Sequence, residues 1–406
     1  MRNAALRLKA RLAHASARAG EAPIAWTLRQ IATKLASFAA WLLLLPLGLV
    51  LHLAGARRLP VITQRIGHFA TEVDCFLKER ALGYLPARRW FIAAPPDQIC
   101  NAHLLRYWKA HIRVIEQPWR TRLLQLACRP PLAAHDIADY ALTQHGAARY
   151  GAINAEWGAR GPLLALSDED REWGASMLAQ LGVPPGAWFV CLHPRTPGFA
   201  AHDDSVHSYR NSDPARLVAA IATIARRGGW CVLMGDASSP RLPPAPNLVD
   251  YAHHPLRSER LDIVLCASCR FFLGSSSGLF VVSTVFGVPV ALANMAPLSA
   301  LPYAPGDLFI PKLYRARDGR LLTFAEILAA PLGGLRHSRR FEQAGVELIE
   351  NSAEELVDLV EDMLGGVEAQ PDPFRALLQP HHYGYGSAAR LSPRFVARHR
   401  SLLPQL

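Results

Sequence analysis

Lysine is nearly missing from this chain: of its 44 basic residues only five are lysines, and the rest are arginines. Charge of either sign is sparse, at 19% of 406 residues, while half of the chain is apolar. Those proportions exclude a disordered tail or a coiled coil, and the length suits two packed domains better than one. No GxGxxG follows a strand, and there is no GxxxxGK[ST] and no HExxH. Dehydrogenase, P-loop kinase and zinc protease therefore lack their usual parts. Seven cysteines, an odd number scattered through apolar runs, do not make a disulfide framework and point to a reduced compartment. Cys266 and Cys269 form one CxxC with no second pair, which reads as two buried thiols rather than a zinc site. Neither the aromatic-and-glycine signature of an RNA-binding sheet nor zinc-finger spacing occurs, so nucleic acid is not an expected partner.

What the chain has is an arginine-borne excess of +11, unevenly placed. Residues 1–34 carry Arg2, Arg7, Lys9, Arg11, Arg18, Arg29 and Lys34 against Glu21 alone, the composition of a basic amphipathic arm on anionic headgroups. From Leu35 to Ala56 no residue is formally charged. As a helix this run would be about 33 Å long, enough to span a bilayer. Pro46 and Gly48 at its centre favour a shallow hairpin anchored in one leaflet over a full span. A buried helix of the folded domain has the same composition. The expected location is the cytoplasmic face of an inner membrane.

Beyond Arg65, short apolar runs alternate with helical stretches, the pattern of parallel sheets covered by helices. RIGHFA reads as a strand end and tight turn before the helix TEVDCFLKERALG, with RRWFIAAP and IRVIEQP as further strands. Ser167 is a candidate N-cap, and capping explains the DxD of Asp168 and Asp170 better than metal binding does. A second series starts at WFVCLHP and ends at VPVALAN, each strand followed by loop, helix and glycine as in a doubly wound sheet. The expected partition is 1–58, arm and apolar segment; 59–183 and 184–345, two α/β Rossmann-like domains facing a cleft; and 346–406, a helix and tail packing back.

Two segments carry the chemistry. In FLGSSSGLF, Gly274 ends a strand, Ser275, Ser276 and Ser277 make a small-residue loop, and Gly278 is expected to open a helix. Hydroxyls, backbone donors and a helix dipole would then meet at an anion site. In CLHPRTPGFAAHDDSVHSYRNSD a strand delivers His193 and Arg195 to the carboxyl edge of the sheet. A polar loop far longer than an ordinary connection adds Asp203, Asp204, His207, Tyr209, Arg210 and Asn211. Arg195 and Arg210 are the bidentate phosphate donors. Gly235 and Asp236 close another strand, with Asp236 placed to accept from a sugar hydroxyl. In the first half Gly67, His68, Glu72 and Asp74 follow the opening strand, where one could take a proton from an acceptor. Glu72 and Asp74 read equally as first-turn acids favoured by the helix dipole.

RIGHFATEVD, HSYRNSD, GGWCVLMGD, FLGSSSGL and FGVPVALAN, in this order, resemble a family of bacterial glycosyltransferases of GT-B fold found beside surface-polysaccharide genes, from about residue 60 to 365. The second half is also distantly similar to heptosyltransferases, whose corresponding loop usually carries an acid where this chain has three serines. The resemblance implies a nucleotide-sugar donor on the second domain and an acceptor, lipid-linked or polysaccharide, on the first. Sugar transfer is then the expected reaction, with Arg195, Arg210 and residues 275–278 stabilising the leaving diphosphate and no metal or cofactor required. Another nucleotide-sugar or pyruvyl transferase, an epimerase, or an inactive membrane scaffold would use the same frame.

Overall fold

A computed structural model describes residues 24–130, 132–136, 146–198, 206–298, 304–366, 372–379 and 384–404, with Pro302 and His382. Most of the expected basic arm, residues 1–23, lies outside them, as do Asp203 and Asp204. In chain order the first elements are α1 (Ile24–Leu43), α2 (Leu45–Leu53), β1 (Ala56–Arg58), α3 (Ile66–Ala81), β2 (Arg89–Ala93), α4 (Ala102–Lys109), β3 (Arg113–Ile115) and α5 (Pro118–Ala127). Then come α6 (Gly146–Trp157), α7 (Asp168–Gln180), β4 (Phe189–His193), α8 (Val218–Arg226), β5 (Trp230–Leu233), β6 (Leu248–Val249), α9 (Glu259–Ser268) and β7 (Phe271–Gly274). The remainder holds α10 (Phe280–Val285), β8 (Val290–Met295), β9 (Leu308–Pro311), β10 (Leu313–Ala316), α11 (Phe324–Ala329) and α12 (Ser338–Ala344). It ends with β11 (Val346–Ile349), α13 (Ala353–Gly365), β12 (Arg390–Leu391) and α14 (Pro393–Arg398).

These elements form two compact units. Unit 1 comprises residues up to Pro60, Arg88–Pro95 and Val114–Asp136; unit 2 comprises Val61–Ala87, Pro96–Arg113 and the chain from Ile137. Residues 59–183, expected as one domain, are thus distributed over both. In unit 1, β1 pairs parallel with β2 in a sheet ordered β1-β2-β3. Its core joins Phe91, Ala93, Ala127, Cys128, Ala133 and Ala134, with Leu44 and, from α2, Leu47 and Leu51 packed against it. The apolar run is therefore two helices. They break at Leu44, two residues before Pro46, which has no N–H to donate and is accommodated in the first turn of α2. Segments Ile31–Leu43 and Leu45–Leu53 meet at 55°, and no single described helix is long and apolar enough to cross a membrane.

Unit 2 is built on a seven-stranded sheet ordered β12-β9-β8-β7-β4-β5-β6. Renumbered by appearance, the six strands from β4 to β9 run 3-2-1-4-5-6, the doubly wound order whose ligand crevice opens where the order reverses, between β4 and β7. These two strands are parallel, with His193 opposite Gly274 in register. The strands read as continuous apolar runs because both faces are covered, and Phe189–Leu192, Phe271–Gly274 and Val290–Met295 are buried throughout. On α13 the cap is Ser352, with a reciprocal capping box to Glu355. Asn351, just before the cap, lies buried in the core and bonds the Asn294 N–H and the Pro311 carbonyl. The helix packs on α8, β8 and β9 of the same unit.

One sequence expectation fails in the first half. RIGHFA is not a strand and turn; Ile66 starts α3, so Gly67 and His68 sit in its first turn. The glycine that reads as a turn signal serves helix packing. A Cβ on Gly67 would lie 2.8 Å from the Gly278 Cα, and one on Gly278 would lie 3.0 Å from the Gly67 nitrogen. Helix α3 and the start of the α10 segment therefore touch backbone to backbone, which only glycine permits.

Candidate functional site

The carboxyl ends of β4 and β7 bring together most of the residues singled out in the sequence. Gly274 is required by this closeness, since a Cβ there would sit 2.7 Å from the His193 carbonyl oxygen. The Ser275 hydroxyl accepts from the Arg195 N–H at 2.7 Å, and its own N–H donates to the His193 carbonyl at 3.2 Å. Ser277 Oγ lies 3.1 Å from His193 Nδ1. Arg210 donates through Nε to the Ser276 carbonyl at 2.7 Å. Arg195 donates to the Asn211 side chain and, at 3.1 Å, to the His207 carbonyl. The Arg195 backbone and the Arg210 side chain are thus tied to one serine loop by separate bonds, and both residues are half-buried at the edge of the sheet.

Tyr209, between Ser208 and Arg210 in the chain, is buried with its ring against His207 and Phe341. Burial raises its phenol, while the guanidinium charges of Arg210, Arg336 and Arg195 pull the other way. Burial also pushes the His193 imidazole down to about 4, with Asp236 opposing and Arg195 adding to the shift. At neutral pH His193 is a neutral hydrogen-bonding group rather than a fourth cation. Asp236 is turned toward its own loop, where Oδ1 accepts from the Ser238 N–H at 2.7 Å and the Ser238 hydroxyl at 2.6 Å. The Gly235 carbonyl accepts from Arg257 at 3.4 Å.

The expected helix at Gly278 begins two residues later, at Phe280, and has six residues. Side chains rather than a helix terminus dominate the loop. Gly274–Gly278 also spells GxSxG, the strand-to-helix turn that presents a nucleophilic serine in α/β hydrolases. Here Ser276 Oγ is buried with no hydrogen-bond partner and His193 faces Ser277 instead, so no base addresses that serine.

The three first-half candidates separate. His68, with its side chain 22% exposed, holds Glu72 Oε1 at 2.8 Å through Nδ1, and Glu72 Oε2 accepts from the Ile62 N–H at 3.0 Å. Glu72 is fully buried, so it fixes His68 and does not face solvent. Asp74 is fully buried too, bonded to Tyr150 at 2.6 Å and Lys78 at 2.8 Å, which removes it as a proton acceptor for a substrate. Its place is structural, with Lys78 passing the network on to Asn154 at 2.8 Å. The contact of Gly67 with Gly278 brings the start of α3, and His68 with it, to the border of the serine loop.

No protein-family model matches the chain, and no curated protein does. Among solved structures it is similar to E. coli ADP-heptose LPS heptosyltransferase II, at 13% identity and a TM-score of 0.35 over 58% of this chain and 84% of that one. It is also similar to an E. coli heptosyltransferase with ADP, at 13% identity and TM-score 0.34 over 63% and 91% of the two chains. A glycosyl transferase of family 9 from Veillonella parvula gives 15% identity and TM-score 0.29 over 53% of this chain and 60% of that one. Identity and superposition this low leave the function to be read from the side chains themselves.

Sequence reasoning missed three contributors. Arg336 joins Arg195 and Arg210 in pulling the Tyr209 phenol down. Ser338 accepts from the Tyr209 N–H at 3.1 Å and bonds the Ser208 hydroxyl at 2.7 Å, bracing the HSYRN turn. Lys312 is buried, which lowers its ammonium, and it donates to the Asn211 carbonyl at 2.6 Å with Glu350 3.7 Å away. All three lie more than 100 residues beyond the loop they support; the basic run Arg336–Arg340 was the one signal available. The DxD pair divides between partners: Asp168 pairs with Arg171 at 2.8 Å, and Asp170 with His103 at 2.8 Å and Arg260 at 2.7 Å. Burial raises Asp170, and its bonds to Tyr107, His103 and Arg260 outweigh that, so it ionises below the usual range. Ser167 caps α7 as the sequence predicts.

Proposed function

We propose that unit 2 binds a nucleoside-diphosphate sugar with its diphosphate at the β4/β7 switch point, and that the protein transfers the sugar to a lipid-linked or polysaccharide acceptor. The observation that carries this reading is the convergence of Arg195 and Arg210, each fixed by a bond to its neighbours, with the Ser275–Ser277 loop where the strand order reverses. As the glycosidic C–O bond breaks, its electron pair stays on the leaving diphosphate. Guanidinium groups already held in place stabilise that growing charge without reorganising. His68 is the candidate base. Glu72 holds Nδ1, which orients Nε2 toward the acceptor hydroxyl whose proton it takes in an inverting transfer. Exposed Leu35, Phe38, Leu43, Val50 and Leu53 on α1 and α2 support placing unit 1 in one leaflet at a cytoplasmic membrane face, within reach of lipid-linked acceptors.

Calorimetric titration of the full chain with ADP, UDP, GDP and CMP tests the reading. Saturable binding of at least one, lost in Arg195→Ala, supports it, and product analysis with the matching sugar donor then separates transfer from epimerisation. A scaffold binds none of the four, and that outcome overturns the proposal.

A further inference from the structure

Unit 1 concentrates positive charge of its own: among its described residues only Glu116 and Asp136 are acidic, against nine Arg and Lys. Arg58, Arg122, Gln125, Leu126 and Arg129 line an open cavity. The last four recur at three- and four-residue spacing, along one side of α5 and the turn that follows. Arg58 is fixed by its backbone on both sides, donating to the Ala133 carbonyl at 2.9 Å and accepting from the His135 N–H at 2.8 Å. Its Nε is buried with no hydrogen-bond acceptor. Burial lowers this guanidinium to about 10, and the Arg129 charge adds to the shift while Cys128 opposes it. Arg129 donates to Ser37 of α1, and none of the three arginines pairs with a carboxylate among the described residues. Cations gathered this way favour an occupant that supplies both negative charge and several acceptor oxygens, and phosphate supplies both.

The surroundings narrow the source. Helix α5 packs against α1 and α2, whose outer residues are apolar, and Leu43 and Leu53 are 82% and 75% exposed. Trp119, one turn before Arg122, is 64% exposed with Arg120 over its ring. Exposed leucines, a tryptophan and arginines in one small unit are the dress of a membrane interface. We infer that the Arg58–Arg122–Arg129 cavity binds the phosphate headgroup of a membrane lipid whose acyl chains lie along α1 and α2. This rests on the membrane-facing reading of those helices and is independent of the nucleotide site in unit 2.

Flotation of the full chain with phosphatidylcholine vesicles containing phosphatidate, or oleate at matched charge, tests the inference. Phosphatidate vesicles should bind more tightly than oleate vesicles. Arg122→Gln, at an exposed position, should lose about fivefold of the phosphatidate affinity, and Arg122→Gln with Arg129→Gln about tenfold or more. Neither should lose as much toward oleate, and Arg120→Gln, outside the cavity, should lose equally on both vesicles. Circular dichroism of each variant shows that it is folded without reference to nucleotide binding. Equal affinity for the two vesicle types, or equal losses in Arg120→Gln and Arg122→Gln on phosphatidate, overturns the inference. So does full displacement from phosphatidate by inorganic phosphate alone, which makes free phosphate the ligand.

Discussion

Replacing Arg210 by alanine removes one charge and one planar fork while disturbing little else. In the fold this side chain is half-buried and donates from Nε to the Ser276 carbonyl at 2.7 Å, across 66 residues of sequence. The bond aligns the guanidinium with the loop on which the diphosphate is proposed to lie. A charge-assisted contact of this kind, partly shielded from water, is worth about 3 kcal/mol, so nucleoside-diphosphate affinity should fall about a hundredfold. The scaffold should hardly notice, with an unfolding temperature within about 3 °C of the parent protein. Arg210→Lys keeps the charge but not the two-pronged geometry, and should recover about tenfold of the loss. Isothermal titration beside thermal unfolding reads both quantities. A well-folded Arg210→Ala protein that binds nucleotide within about twofold of the parent would refute the phosphate role.

Gly67→Ala gives a result of opposite sign to the usual helix substitution. Alanine in a helix normally gains about 1 kcal/mol over glycine, but here its Cβ meets the Gly278 Cα at 2.8 Å and should cost about 1–3 kcal/mol instead. A raised melting temperature would deny the backbone contact. Asp74→Asn leaves the Lys78 ammonium buried without its partner, and urea unfolding should register a loss of about 3–5 kcal/mol with nucleotide affinity retained. An unchanged midpoint would contradict the network. His193 predicts an acid-side loss. Its folded value near 4 lies below the ordinary histidine value, so its contribution is complete above about pH 6.5 and fades as pH falls toward 4. His193→Asn should flatten that part of the stability profile by about 3 kcal/mol at most, and a profile unaltered by the substitution would count against a buried neutral imidazole.

The larger sheet was legible because its strands are doubly covered. WFVCLHP, WCVLMGD, RFFLG and VPVALAN stand out as apolar runs bounded by polar loops and glycines, and their order already implies the doubly wound arrangement. The switch-point residues were legible for the same reason, since strand ends mark the ligand edge. Helix α3 was not. Gly67 carries the local signal of a turn, and only a partner helix more than 200 residues away turns it into a packing residue. Asp74 and Glu72 resemble solvent-facing acids in sequence, whereas Tyr150, Lys78, Ile62 and His68, which consume them, are brought in by tertiary packing. Lys312, Arg336 and Ser338 escaped because nothing local distinguishes a surface cation or serine from one folded under a distant loop.

Hydrogen–deuterium exchange of the full chain with and without a saturating nucleoside diphosphate examines the location of the donor site most directly. Slower exchange should be confined to residues 193–196, 208–212 and 274–279, where the switch point lies. Bound nucleotide that leaves those three segments unprotected, or protects a different edge of the sheet, would place the ligand elsewhere and contradict the account.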